Sequence, residues 1–115
     1  MKSFKEIHEF EDRLKESQKI REKYPSRIPI IVEKCAKSQM KDISKNKYLA
    51  PSDMPMSQFI FTIRKRIELD ASEAIFVMVN NTLVQSNTLL SELYETQGDK
   101  DGFLYMVYTS ENTFG

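Results

Sequence analysis

The chain has 115 residues, 40% hydrophobic and 30% charged, with 17 Lys/Arg balanced by 17 Asp/Glu. That size and mix describe one globular domain with a single modest core. No window approaches the apolar length of a membrane span, and Met1 to Glu6 lack a signal peptide's apolar segment, so a cytoplasmic location is expected. One cysteine, Cys35, excludes an internal disulfide, and with the single histidine, His8, it argues against a zinc site.

Net neutrality conceals an asymmetry. Residues 1–49 carry 13 Lys/Arg and 8 Asp/Glu, whereas residues 50–115 carry 4 and 9. The basic half can attract an acidic peptide or an anionic membrane surface. The two halves can equally well neutralise each other across the fold.

Phe4 and Ile7 mark a short first helix. Phe10, Leu14, Ser17 and Tyr24 recur at helical spacing, with Ile20 beside the stripe and charges elsewhere, so residues 10–23 are predicted to form an amphipathic helix. Tyr24-Pro25 ends it, because the residue before proline is pushed out of the α region. Arg27 to Glu33 is β-branched and reads as a strand, with Pro29 expected at a bulge or an unpaired edge position. Lys47 to Pro51 is a second, short strand.

Met56, Phe59, Ile60, Ile63 and Ile67 follow the i, i+3, i+4 template of a core-facing helix. Ala74 to Val79 is apolar on both faces, the mark of a central strand. Asn80-Asn81 tolerates positive φ and predicts a tight turn. Thr88 is expected to cap a short helix through Tyr94, Gly98 to Gly102 forms a loop, and Phe103 to Tyr108 is the last strand. The resulting order, two helices followed by ββαββ, is the ubiquitin-like β-grasp, an α+β fold whose first and last strands pair in parallel at the centre. Residues 1–24 are expected to form a helical extension packed on a 25–110 grasp domain, with 111–115 as a flexible tail.

That tail ends at Phe114-Gly115. Glycine has no Cβ to obstruct a narrow channel, so a carboxylate at the end of a pliant tail suits delivery into another enzyme's active site. A final glycine also occurs by chance at frayed termini, and taken alone the tail favours that reading.

Lys23-Tyr24-Pro25, Arg27-Ile28-Pro29, Lys47-Tyr48-Leu49, Ile63-Arg64-Lys65-Arg66-Ile67, Val79-Asn80-Asn81, Asp101-Gly102-Phe103-Leu104-Tyr105 and the closing Glu111-Asn112-Thr113-Phe114-Gly115 occur in order along nearly the whole chain. In these stretches it resembles the ubiquitin-like autophagy modifiers typified by GABARAP and microtubule-associated light chain 3. The resemblance implies a protein that is not an enzyme and needs no cofactor or metal. It implies that a cysteine protease processes the precursor, and that activating and conjugating enzymes carry Gly115 as a thioester. The glycine then forms an amide with phosphatidylethanolamine on the autophagosomal membrane, and Phe114 is the side chain that the processing and activating enzymes read. No nucleic acid is expected among the partners.

The resemblance also implies a groove for aromatic-x-x-aliphatic motifs of receptors and adaptors, which would add a strand beside Lys47 to Ala50. Its aromatic pocket would be lined by Glu16, Ile20, Pro29, Lys47, Leu49 and Phe103. The aliphatic pocket would use Tyr48, Ala50, Pro51, Met54, Phe59 and Ile63. Arg27, Lys45, Lys47 and Arg66 would meet acidic or phosphorylated residues of the motif. Ile75, Phe76 and Val77 match a second docking patch for helical motifs, although their strand pattern also reads as core. Ala50, Met54, Pro55 and Thr62 depart from what relatives carry, which implies a wider and more adaptable aliphatic pocket, and Gln85-Ser86 in place of a common Pro-Pro implies a looser loop. Two other classes stand beside this reading. One is an unconjugated peptide-binding scaffold or a relative serving a non-autophagic organelle; the other is a cysteine-dependent enzyme built on Cys35 and His8.

Overall fold

The computed structural model describes residues 2–110. The elements are α1 (Phe4–Ile7), α2 (Phe10–Lys23), β1 (Arg27–Lys34), β2 (Lys47–Pro51), α3 (Met56–Arg66), β3 (Phe76–Val79), β4 (Thr82–Leu83), α4 (Leu90–Gln97) and β5 (Leu104–Thr109). They build a five-stranded sheet in the order β2-β1-β5-β3-β4. β1 and β5 pair in parallel, from Ile30 opposite Leu104 to Lys34 opposite Tyr108. This is the grasp topology with two leading helices that the sequence implies.

Strand alternation sends side chains to two different layers. Ile28, Ile30, Val32, Leu104, Met106 and Tyr108 join Phe59 and Ile63 of α3 and Leu90 and Leu93 of α4 in the main core. On the other face Ile31 and Phe103 pack with Phe4, and Ile20 and Tyr105 border them. β1 and β5 are therefore apolar on both faces, because both are covered. Tyr108 reaches through its layer to donate to the Lys41 carbonyl at 2.7 Å, and burial pushes its phenol up to about 12.

Local chemistry explains most element ends. Ser3 and Glu6 form a reciprocal capping box that starts α1. Asn80 and Asn81 carry φ of 51° and 62°, the left-handed pair that a tight hairpin needs. Gly102 has φ +90°, and a Cβ there would stand 2.2 Å from Ser17 Oγ, so only glycine lets α2 approach this loop.

Three expectations need correction. Thr88 does not cap α4: Leu89 holds that position without a side-chain bond, and the Thr88 carbonyl accepts from the Met56 amide. Ala74 and Ile75 precede β3, so the strand starts two residues later than expected; it is interior, between β5 and the two-residue edge strand β4. The buried positions of α2 are Arg13 and Ser17, whereas Phe10 stays 44% exposed. Of the two placements expected for Pro29 the structure shows no bulge but an unpaired position, in regular register opposite Leu49. Its nitrogen faces the β5 side just before the β1–β5 pairing opens at Ile30, so no ladder bond is lost.

Candidate peptide-binding edge

β2 lies at one margin of the sheet, paired on one side only. Asn46 accepts from Val32, and Ser26 accepts from Ser52; these bonds bracket the strand and fix its phase. Alternation then makes Ile30–Tyr48 and Ile28–Ala50 the hydrogen-bonded pairs, and it turns the amides and carbonyls of Lys47 and Leu49 toward the open side. An extended segment laid along β2 therefore finds a ladder face that no strand occupies.

The same alternation separates the strand members of the predicted pockets, except Pro51, which shares the phase of Lys47 and Leu49. Pro29, Lys47 and Leu49 face the α2 side, where Phe103 belongs to the small buried cluster and Ile20 borders it. The Glu16 carboxylate, four residues before Ile20 on α2, accepts from the Lys47 ammonium. That ammonium stands 5.5 Å from the ring centroid of Phe4, within cation–π range. All six predicted residues of the aromatic pocket are thus brought to one face.

On the opposite face, Tyr48 and Ala50 join Phe59 and Ile63 inside the main core, and Met54 packs against it. The Tyr48 and Phe59 rings meet edge-on at 5.6 Å. Pro51 ends the strand half-buried and accepts from the Met54 amide. Tyr48, Ala50, Phe59 and Ile63 are closed core rather than an open cup, and only Pro51 and Met54 retain intermediate exposure.

The predicted cations divide between the two ends of β2. Lys45 Nζ lies 5.0 Å from the Tyr48 ring centroid. Burial raises the Tyr48 phenol, while the charge of Arg66 pulls it the other way. The Tyr48 hydroxyl is buried without a hydrogen-bond partner among the described residues. Arg27 stands at the other end, opposite Pro51, and its Nη1–H donates to the Leu49 carbonyl at 3.0 Å.

Of the second docking patch, Val77 is core at 3% exposure, whereas Ile75 and Phe76 are half-buried. Phe114 and Gly115 lie outside the described residues. A hollow of about 410 Å³ opens elsewhere, between the β1–β2 loop and the segment after α3; it is lined by Lys41, Ile67, Glu68 and Glu73 among others and gathers none of the predicted residues. Among the described residues no acidic, His or Cys cluster could hold a metal ion, and no helix is long and apolar enough to cross a membrane.

Phe4 is the residue that sequence reasoning underused. Its ring is 4% exposed and meets Phe103 edge-on at 5.3 Å, and its amide donates to Glu33 at 2.7 Å. Ser3-x-x-Glu6, a capping-box signature, carried the signal that would have fixed α1 and its buried face.

The family described as Autophagy protein Atg8 ubiquitin like matches residues 12–115. Autophagy-related protein 8a of Arabidopsis thaliana is 55% identical over 113 residues, covering 98% of this chain and 93% of that protein. Autophagy-related protein 8e of the same plant is 54% identical over 112 residues, covering 97% and 92%. Among solved structures, Trypanosoma brucei ATG8 superposes with a TM-score of 0.91 at 41% identity, covering 100% of this chain and 99% of that one. Plasmodium falciparum Atg8, solved in complex with a Plasmodium falciparum Atg3 peptide, gives 0.89 at 38% identity, covering 96% and 98%. The chain belongs to the Atg8 family of ubiquitin-like autophagy proteins.

Proposed function

We propose that this protein is a modifier joined through Gly115 to phosphatidylethanolamine on autophagosomal membranes, and that its β2 edge recruits receptors and adaptors bearing aromatic-x-x-aliphatic motifs. The observation that carries the recruiting half is the open margin at Lys47 and Leu49, with an apolar residue set on each face behind it. Main-chain bonds supply affinity that does not depend on peptide sequence, and two side-chain anchors supply specificity. Each anchor contributes about 1.5–3 kcal/mol before ordering costs. With a few strand hydrogen bonds, affinity falls near the micromolar range, about −8 kcal/mol.

The conjugation half rests on family membership, and Gly115 with Phe114 before it is the residue that the family likeness assigns to it. The Plasmodium relative was solved with an Atg3 peptide; by that likeness a conjugating enzyme is a partner here, together with an activating enzyme and a processing cysteine protease. The protein then works as a tag moving between cytoplasm and membrane, not as a catalyst. Arg27, Lys45, Lys47 and Arg66 steer acidic motifs toward the edge, and Ile75 with Phe76 supplies a second contact surface.

Reconstitution with the conjugating machinery and phosphatidylethanolamine vesicles tests the first half. A phospholipase-sensitive band is expected for the wild type and none for Gly115→Ala; a band that persists in the variant defeats the assignment. Lys47→Glu and Leu49→Ala test the groove. Each is expected to weaken motif peptides about tenfold or more, and unchanged affinity rejects it.

A further inference from the structure

Among the described residues, Met56, Met78 and Met106 are buried, whereas Met40 and Met54 keep intermediate exposure. Met40 lines the hollow beside the β1–β2 loop. Met54 occupies the turn between β2 and α3 and packs against the main core. Its backbone is held at both polar groups: the amide donates to the Pro51 carbonyl at 3.1 Å, and the carbonyl accepts from the Leu90 amide at 2.9 Å. The side chain is thus the movable part of this turn. Tyr48, Ala50, Phe59 and Ile63 are closed core, so Met54 and Pro51 supply the part of the aliphatic set that an incoming side chain meets first.

We propose that Met54 is an oxidation-sensitive latch on the aliphatic pocket, converted by hydrogen peroxide to the sulfoxide. The proposal rests on the pocket reading above and adds a means of regulating that site. The thioether sulfur attacks one peroxide oxygen; an S–O bond forms, the O–O bond breaks, and the departing hydroxide takes a proton and leaves as water. Sulfur gives up two electrons and the peroxide gains them. In the reduced state the thioether is polarisable and flexible, so it moves aside for an aliphatic anchor and then packs on it. The sulfoxide instead carries a strong acceptor, and an aliphatic anchor that covers it takes that oxygen out of water without offering a donor. Oxidation therefore weakens the aliphatic half of the motif and leaves the aromatic half, on the α2 face, in place. Methionine sulfoxide reductases, one for each sulfoxide epimer, reverse the change with electrons from thiols.

The test titrates two peptides, aromatic-x-x-Leu and aromatic-x-x-Ala, against wild type, Met54→Leu and Met40→Leu, before and after hydrogen peroxide. Peptide mass spectrometry reads the sulfoxide at each methionine. Leucine keeps an apolar group of similar volume, so both variants are expected to fold, and unchanged amide spectra verify it. Reduced wild type is expected to prefer the Leu peptide by about tenfold or more. Peroxide should lower that preference to about twofold while leaving the affinity for the Ala peptide unchanged. Met54→Leu should hold its preference through the same treatment, and Met40→Leu should lose it as wild type does. Methionine sulfoxide reductases should restore the wild type, which excludes oxidation of the half-buried Cys35 as the cause. An equal loss in Met54→Leu overturns the latch, as does a preference that survives complete oxidation of Met54 or a Met54 that stays reduced while buried methionines oxidise. If reduced wild type does not distinguish the two peptides, the pocket reading itself fails and the latch falls with it; a distinction that peroxide leaves intact defeats the latch alone.

Discussion

The two faces of the sheet are held by different physics. Toward α3 and α4, sixteen buried residues form one apolar body, and stability there scales with area removed from water. Toward α1 and α2, only Phe4, Ile31 and Phe103 form the buried cluster, and directional polar bonds do the rest. Arg13 Nε donates to Asp101 at 2.8 Å, with the acid fully buried. Arg13 Nη1 donates to the carbonyls of Lys5 and His8. The second Asp101 oxygen accepts from the Phe103 amide at 2.9 Å, and the Tyr105 hydroxyl donates to the oxygen that Arg13 uses. Burial, first, and then the Asp101 charge and hydrogen bond push the Tyr105 phenol far up. An area-built face tolerates changes of shape-matched apolar groups, whereas a face built on one buried pair is brittle toward loss of a charge.

The largest effect is expected from Phe59→Ala. Removing a ring that is 2% exposed costs about 3–5 kcal/mol, and it lowers the denaturant midpoint of the whole domain by every probe. Asp101→Ala comes next, at about 3 kcal/mol, because it leaves the Arg13 guanidinium buried and unpaired. Its damage should be confined: hydrogen exchange rises through residues 4–23 well before it rises in 56–66. Equal acceleration in both segments breaks the distinction between the faces.

Acid gives the smallest effect and sharpens the same comparison. Burial opposes ionisation of Asp99, but the Lys5 ammonium and the Asp101 amide outweigh it and hold its carboxyl below the ordinary aspartate range. Backbone and side-chain bonds from Ser3 hold Glu6 low as well. Groups depressed on folding contribute fully above their unfolded values, about 4, and lose that contribution as pH falls through the lower folded values. Between pH 6 and pH 3, amides at the end of α1 should lose protection while those of α3 keep theirs. Loss of protection in α3 first would contradict the assignment.

Regular elements were legible because they rest on local patterns: β-branched runs, a 3.6-residue stripe in α3, and an Asn-Asn turn. The α2 face was misread for a physical reason. Periodicity counts apolar residues, yet the buried side of α2 carries Arg13, whose partner Asp101 is 88 positions away; no spacing rule encodes a pair that exists only after folding. The failed Thr88 cap has a similar origin, since its carbonyl is committed to α3. The aromatic-pocket set converges because its strand members alternate in phase. Nothing in the sequence marked the Arg27 bond to Leu49, because a backbone acceptor carries no residue signature.

β5 runs between β1 and β3, parallel to one and antiparallel to the other, and Thr109 is the point where the chain leaves the sheet. Tension applied at that exit acts along the strand axis, so two flanking ladders must shear together instead of unzipping bond by bond. A pull applied at Thr109 therefore meets the most resistant direction of the domain. The two-residue β4 and the margin at β2 lie outside those two ladders.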